Sequence, residues 1–203
     1  MAIIELSSIV GIESFQVSTQ SNNVFIDLQN GNARPIFKAS SSRFIRVNLV
    51  ALTDEVRSYL RGVVGAASYS TDQLKIVIPA ESSNYLGDLT ADIELGADAV
   101  QGSNTIYIVN SSDADTFPSV DDVYVGMQFN IGDSSKLYTV NSYRASDGRA
   151  IIYPYLSTDF SSGTNIVYDS IYVIGNIVSN IDEDILPFNF NFLRYPIIVR
   201  EYV

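Results

Sequence analysis

The stretch Arg43-Phe-Ile-Arg-Val-Asn-Leu-Val-Ala-Leu-Thr-Asp-Glu-Val-Arg-Ser-Tyr-Leu-Arg-Gly-Val-Val-Gly65 decides how this chain is read. Its first half is rich in β-branched and aromatic residues, which suit a pleated, half-buried surface. Polar and apolar residues alternate only roughly from Ser42 to Leu49, so the strand is expected to be covered in part on both faces. The second half changes period. Thr53 can cap a helix, and Asp54 and Glu55 complement the positive end of its dipole. Val56, Leu60, Val63 and Val64 then fall on one stripe that Tyr59 extends, while Arg57, Ser58 and Arg61 lie off it. Gly65 fits a C-cap. A strand running into one amphipathic helix near 53–64 is the expectation, and no other segment repeats the helical pattern.

Outward from this stretch the signal is β. Residues 23–28 and 74–78 are short, apolar and bounded by turn formers. Asn30-Gly31 tolerates the positive φ of a hairpin turn, and should join a strand near 23–29 to one near 33–39. Residues 104–109, 127–131, 136–140 and 149–153 read as a second block of strands, with turns at 132–135 and 146–148. Such short, evenly spaced strands suit a small closed barrel. Phe188, Phe190 and Phe192 alternate with asparagine, placing three rings on one face of a strand. Pro196 limits pairing, so the last run should begin at or beside a sheet edge. The expected fold is all-β with one short helix. A β-sandwich made of 1–92 and 170–203 would carry an inserted small β-barrel at 97–168.

The 203 residues include no Cys, His or Trp, and 12 basic residues stand against 23 acidic ones, a net charge of −11. The missing cysteines exclude disulfides and thiolate chemistry, and the missing histidines remove the commonest general base and metal ligand. The negative charge argues against a broad phosphate-binding face and against specific nucleic-acid binding. No run approaches the roughly 18 apolar residues of a membrane helix, and Met1–Leu6 lacks the basic start of a signal peptide. Only 17% of residues are charged, against about 25% in ordinary soluble domains. Part of the apolar surface is therefore expected to lie under neighbouring subunits.

The remaining routes to catalysis find no constellation. Glu13, Glu55, Glu81, Glu94, Glu183 and Glu201 could supply a carboxylate pair for glycoside hydrolysis, but none sits in a recognisable context. Asp113, Asp115, Asp121 and Asp122, and Asp182 to Asp184, lack the spacing of a calcium loop. Lys38, Lys75 and Lys136 lie in strand-like segments without a Ser-x-x-Lys spacing. Phosphate-binding glycine loops are absent from the sequence. The expectation is a non-enzyme with no cofactor and no metal. Arg43, Arg46, Arg57 and Arg61 form the one basic cluster and suit an acidic neighbouring subunit. Tyr138, Tyr153 and Tyr155 fall in the strand block, where aromatic faces could stack on sugars, and interior packing or a subunit contact would account for them equally well.

Two stretches carry a resemblance. Residues 43–65 resemble the strand–helix segment of tailed-phage tail proteins, where an aromatic-led strand runs into a short helix ending near a Gly-x-x-Gly turn. Val125-Gly-Met-Gln-Phe-Asn-Ile-Gly-Asp133, with 136–140 and 150–156, is similar to the inserted barrel of the same proteins. Their pattern is a Gly-Asp-led strand, a Tyr-x-Val strand, an Asp-Gly turn and a Pro-Pro-Leu ending. Here Met127 replaces that Asp and Tyr155 the second Pro. The resemblance implies a structural virion component of a tail or baseplate, made in the host cytoplasm, with a tail-tube-like sandwich. Its partners would be further copies in a ring, joined through sheet edges, and other tail proteins. Contact with the passing genome would be passive. Arg43, Arg46, Arg57, Arg61, Phe188, Phe190 and Phe192 are then the candidate interface. A head–tail adaptor, a tube protein and a glycan-binding module are the competing expectations.

Overall fold

A computed structural model of the chain describes residues 3–6, 10–20, 23–27, 33–37, 42–51, 53–69, 73–79, 92–178 and 193–202. These residues are mostly β with one helix. The chain divides into two compact units, 1–75 with 174–203, and 76–173.

A six-stranded mixed sheet runs in the order β1 (Ile3–Glu5), β6 (Gln73–Pro79), β13 (Ser170–Ile177), β14 (Leu193–Tyr202), β5 (Ser42–Ala51) and β2 (Gly11–Gln20). β5 is antiparallel to both of its neighbours, whereas β1 lies parallel to β6. Successive side chains on a strand point to opposite faces, and β5 obeys this closely. Arg43, Ile45, Val47, Leu49 and Ala51 are buried, Phe44, Asn48 and Val50 are half-buried, and Arg46 is exposed. One face is thus wholly covered and the other partly. On β14, Ile197 and Val199 are buried opposite Val47 and Ile45. Each fully buried aliphatic side chain contributes about 1.5–3 kcal/mol, so this row supplies much of the sheet's cohesion.

The same row ends in charge. Glu201 lies opposite Arg43, their charged groups are 3.5 Å apart, and the side chains are 3% and 1% exposed. A buried pair is costly to desolvate, and removing one partner is costlier because a lone charge stays inside.

Pro196 was expected near an edge, yet β14 lies inside the sheet order. The register resolves this. On the β5 side Pro196 pairs with Asn48. On the β13 side the described pairs are Asn176↔Arg200 and Ile177↔Val199, with Val178 N–H donating to the Ile198 carbonyl. The missing proline N–H therefore lies past the last described β13 contact. Phe188, Phe190 and Phe192 lie outside the described residues, as does Asn30-Gly31. The flanking strands β3 (Asn23–Asp27) and β4 (Ala33–Phe37) do pair antiparallel, from Asn23↔Phe37 to Asp27↔Ala33. Among the described residues the first unit thus holds the sheet's main ladder, this hairpin and a helix.

The helix α1 spans Asp54–Tyr69. Its entry follows the sequence, with Val56 N–H donating to Thr53 Oγ1 at 3.3 Å and Arg57 N–H to the Thr53 carbonyl at 3.0 Å. Leu60 and Val64 are buried, and Val56, Tyr59 and Val63 half-buried. Its end does not follow. Gly65 lies within the helix, which runs on through Ala66 and Ala67. Alanine is the best helix former and prolongs what glycine alone would weaken.

The second sheet is antiparallel, in the order β12 (Ile166–Val167), β9 (Gln128–Ile131), β10 (Tyr138–Arg144), β11 (Arg149–Tyr153), β8 (Thr105–Asn110) and β7 (Ile93–Leu95). It nearly closes. Glu94 bridges Asn165, Leu95 N–H donates to the Thr164 carbonyl at 2.9 Å, and Gly163 N–H to the Leu95 carbonyl at 2.7 Å. The interior holds Leu95, Ile106, Ile108, Val123, Met127, Phe129, Tyr138, Val140 and Ile152 among others. The expected turn at Ser146–Gly148 is present between β10 and β11, where Gly148 has φ +65°. A Cβ there would come within 2.3 Å of the Ile108 carbonyl oxygen.

Two contrasts test these placements by urea denaturation. Gly62→Ala adds a methyl to open space in a helix interior and should raise stability by about 0.5–1 kcal/mol, whereas Gly148→Ala should lower it by more than that. Glu201→Gln should cost about 3–5 kcal/mol, and Arg43→Met with Glu201→Leu together clearly less than Glu201→Gln alone.

Candidate functional site

The four arginines of the expected interface do not form one cluster. Positions 43 and 46 are an odd number of residues apart, so a strand sends them to opposite faces. Arg43 is 1% exposed and paired with Glu201 inside the chain, which corrects its assignment to a surface. Arg46 is exposed, opposite Gln16 of β2 and Ile198 of β14. Arg57 and Arg61 ride on α1, where Arg57 pairs with Asp54 at 2.8 Å and Arg61 is exposed. Arg200 shares the outer face with Arg46, and its guanidinium lies 6.0 Å from the centre of the Phe44 ring. Sequence reasoning passed over Arg200, although parity within the final strand marks it.

Tyr138 is a second correction. It points into the barrel core, fully buried against Phe129 with ring centres 5.9 Å apart, and its hydroxyl lies 3.3 Å from Ser157 Oγ. A ring so placed offers no face to a sugar. Tyr153 is half-buried and Tyr155 is 61% exposed.

The outer face of β8, β11 and β10 gathers polar groups instead. Register sets Tyr107, Arg149 and Arg144 in one row, and Thr105, Ile151 and Ser142 in the next. A bulge between Val140 and Ser142 makes this possible, since the extra residue re-aims the side chains after it. A shallow groove of about 360 Å³ lies here, lined by Ser142, Tyr143, Arg144, Arg149 and Ile151. Arg144 is clamped by Asp147, its Nε donating to Oδ1 at 2.8 Å and its Nη2 to Oδ2. That hydrogen bond holds the Asp147 carboxyl below the usual range and the guanidinium above its own. Tyr143 donates to the Pro118 carbonyl at 2.8 Å. Burial pushes its phenol up to about 12, with help from the carboxylates of Asp122 and Asp147.

Asn130 is a buried polar group that sequence reasoning missed. Its amide donates to the carbonyls of Lys136 and Tyr172 at 2.9 and 3.1 Å and accepts from Tyr172 N–H at 2.8 Å. These bonds tie β9 to the start of β13 and satisfy a buried amide, a structural duty. The acidic loop is likewise tied to turns. Asp113 Oδ1 accepts from Asp115 N–H, and Asp122 Oδ2 from the Ser119 hydroxyl. Among the described residues no three acidic side chains gather as a metal site would need. Asp182 to Asp184 lie outside them.

No family model matches the chain, and none of the curated proteins is similar to it in sequence.

Tyr143 gives a pH test with a defined sign. Its folded value lies above the ordinary 10, so the folded state keeps a proton that the unfolded state releases. Stability should fall as pH rises from about 10 to 12, because the unfolded state binds fewer protons there. Denaturation midpoints of the parent and Tyr143→Phe should converge over that window. Parallel curves would contradict the assignment.

Proposed function

We propose that this protein is a non-enzymatic structural component of a phage tail or baseplate, assembling as a ring with other tail proteins. The observation that carries this reading is the arrangement itself. The chain builds part of a mixed sheet, runs from β5 into one capped helix, makes a nearly closed antiparallel barrel, and returns to complete the sheet. A mixed sheet with one helix and a nearly closed antiparallel barrel supports the reading that the resemblance of residues 43–65 and 125–156 implies, a tail-tube-like β-sandwich with an inserted barrel. Head–tail adaptor and tube protein are neighbouring stations within the same reading.

Surface chemistry supports assembly. Among the described residues β2 ends the six-stranded sheet; it is ten residues long, and carries no Lys, Arg or Pro and only Glu13 as a charge. Solitary proteins usually protect such an edge with lysine, proline or a short strand, because backbone groups there pair readily with another chain. Arg46 and Arg200 share the outer face of this sheet in a chain of net charge −11. A second acidic copy is a natural counterpart for that face. The negative total would keep passing DNA from adhering to a ring.

Light scattering after size exclusion, with negative-stain imaging, tests the proposal on the purified chain. Closed rings of one defined size are expected at high concentration, and Arg46→Glu should weaken assembly on the order of tenfold without lowering thermal stability. A chain that stays monomeric at every concentration would overturn ring assembly.

A further inference from the structure

The groove over β10 and β11 is a feature the tail reading does not require. Its lining holds two guanidinium groups and no carboxylate, in a chain where acids outnumber bases almost two to one. The two are unequal. Arg144 has its neutralising partner in Asp147. Arg149 is half-buried and joins no ion pair among the described residues; its nearest charge is Asp147, which it helps to hold ionised and which accepts from its backbone N–H at 3.4 Å. Two guanidinium groups thus share one carboxylate, whose side-chain hydrogen bonds go to Arg144. The surplus positive charge at Arg149 leaves room for an anion, and its planar fork favours a carboxylate or phosphate.

The surroundings narrow the partner. Tyr107, directly across from Arg149, is 43% exposed and presents an aromatic surface beside the charge. Ser142 adds a hydroxyl on the next row. An aromatic face, a guanidinium and a hydroxyl together suit a sugar bearing an acid, since an apolar ring face can stack while polar groups fix orientation. A peptide strand is disfavoured because β11, which carries Arg149 and Ile151, is already paired on both sides. Nucleic acid is disfavoured because two arginines offset little of the repulsion from a net charge of −11.

We propose that this groove binds a carboxylate-bearing saccharide, with Arg149 pairing its carboxylate, Tyr107 stacking on a sugar face and Ser142 holding a ring hydroxyl. Arg144, locked by Asp147, acts as the rigid wall that fixes the width of the site. The site would let a barrel on the surface of a particle read an acidic glycan, and it stands whether or not the chain forms rings.

Calorimetric titration with trigalacturonate, its uncharged methyl ester and inorganic phosphate tests the assignment. The acid should bind at least roughly tenfold more tightly than its ester, and Arg149→Gln should remove that preference. Arg149→Lys should retain part of it, Tyr107→Ala should weaken acid and ester alike, and Tyr155→Ala should change neither. Thermal melts of each variant check folding, and Arg149→Lys preserves charge if Arg149→Gln fails to fold. No binding of the acid, equal binding of acid and ester, or binding unchanged in Arg149→Gln would overturn the proposal. Phosphate binding as tightly as trigalacturonate would overturn its saccharide part.

Discussion

The ten-residue ladder between β5 and β14 is the constraint on which the first unit depends. It joins residues 42–51 to residues 193–202, so the two partners meet only after some 140 intervening residues have been made. Closing so long a loop costs conformational entropy before any contact returns it. The apolar row of Ile45, Val47, Ile197 and Val199 offsets that cost, and the Arg43–Glu201 pair ends the row with a charge match. A slip of one residue would turn the entire buried set of β14 to the outer face. A slip of two toward Ile45 would set Glu201 against an aliphatic side chain. Hydrophobic pattern and ion pair therefore specify the same register.

The barrel solves a different problem. Its strands meet their neighbours within a few tens of residues, and closure through Leu95, Thr164 and Gly163 removes most exposed edges. The groove over β10 and β11 exists because one bulge and one tight Asp147-Gly148 turn re-aim side chains there without disturbing the core behind them.

Much of this was legible in residue patterns, and the failures have physical reasons. The strand and capped helix of residues 42–64, the hairpin strands around residue 30 and the barrel strands at 105–153 follow from periodicity and turn residues. β7 was missed because three residues cannot display an alternation. β1 and β2 carry mixed polar sequences, and β1 depends on a parallel partner some seventy positions away. The helix outran Gly65 because the alanines beyond it favour continuation. For the site, a tyrosine reads alike on either side of a barrel wall, so the pattern alone does not place Tyr138 inside, and the buried pairing of Arg43 is hidden because its partner lies in the last strand. Tyr107 and Arg149 became visible together only through register, which a linear sequence does not display.

Native-state hydrogen exchange addresses the ladder most directly. Amides of Ser42–Ala51 and Leu193–Tyr202 that bond across β5 and β14 should share one opening free energy, and Glu201→Gln should lower both equally. Free exchange along Leu193–Tyr202 while Ser42–Ala51 stays protected would contradict the account, because the sheet would then stand without its returning strand.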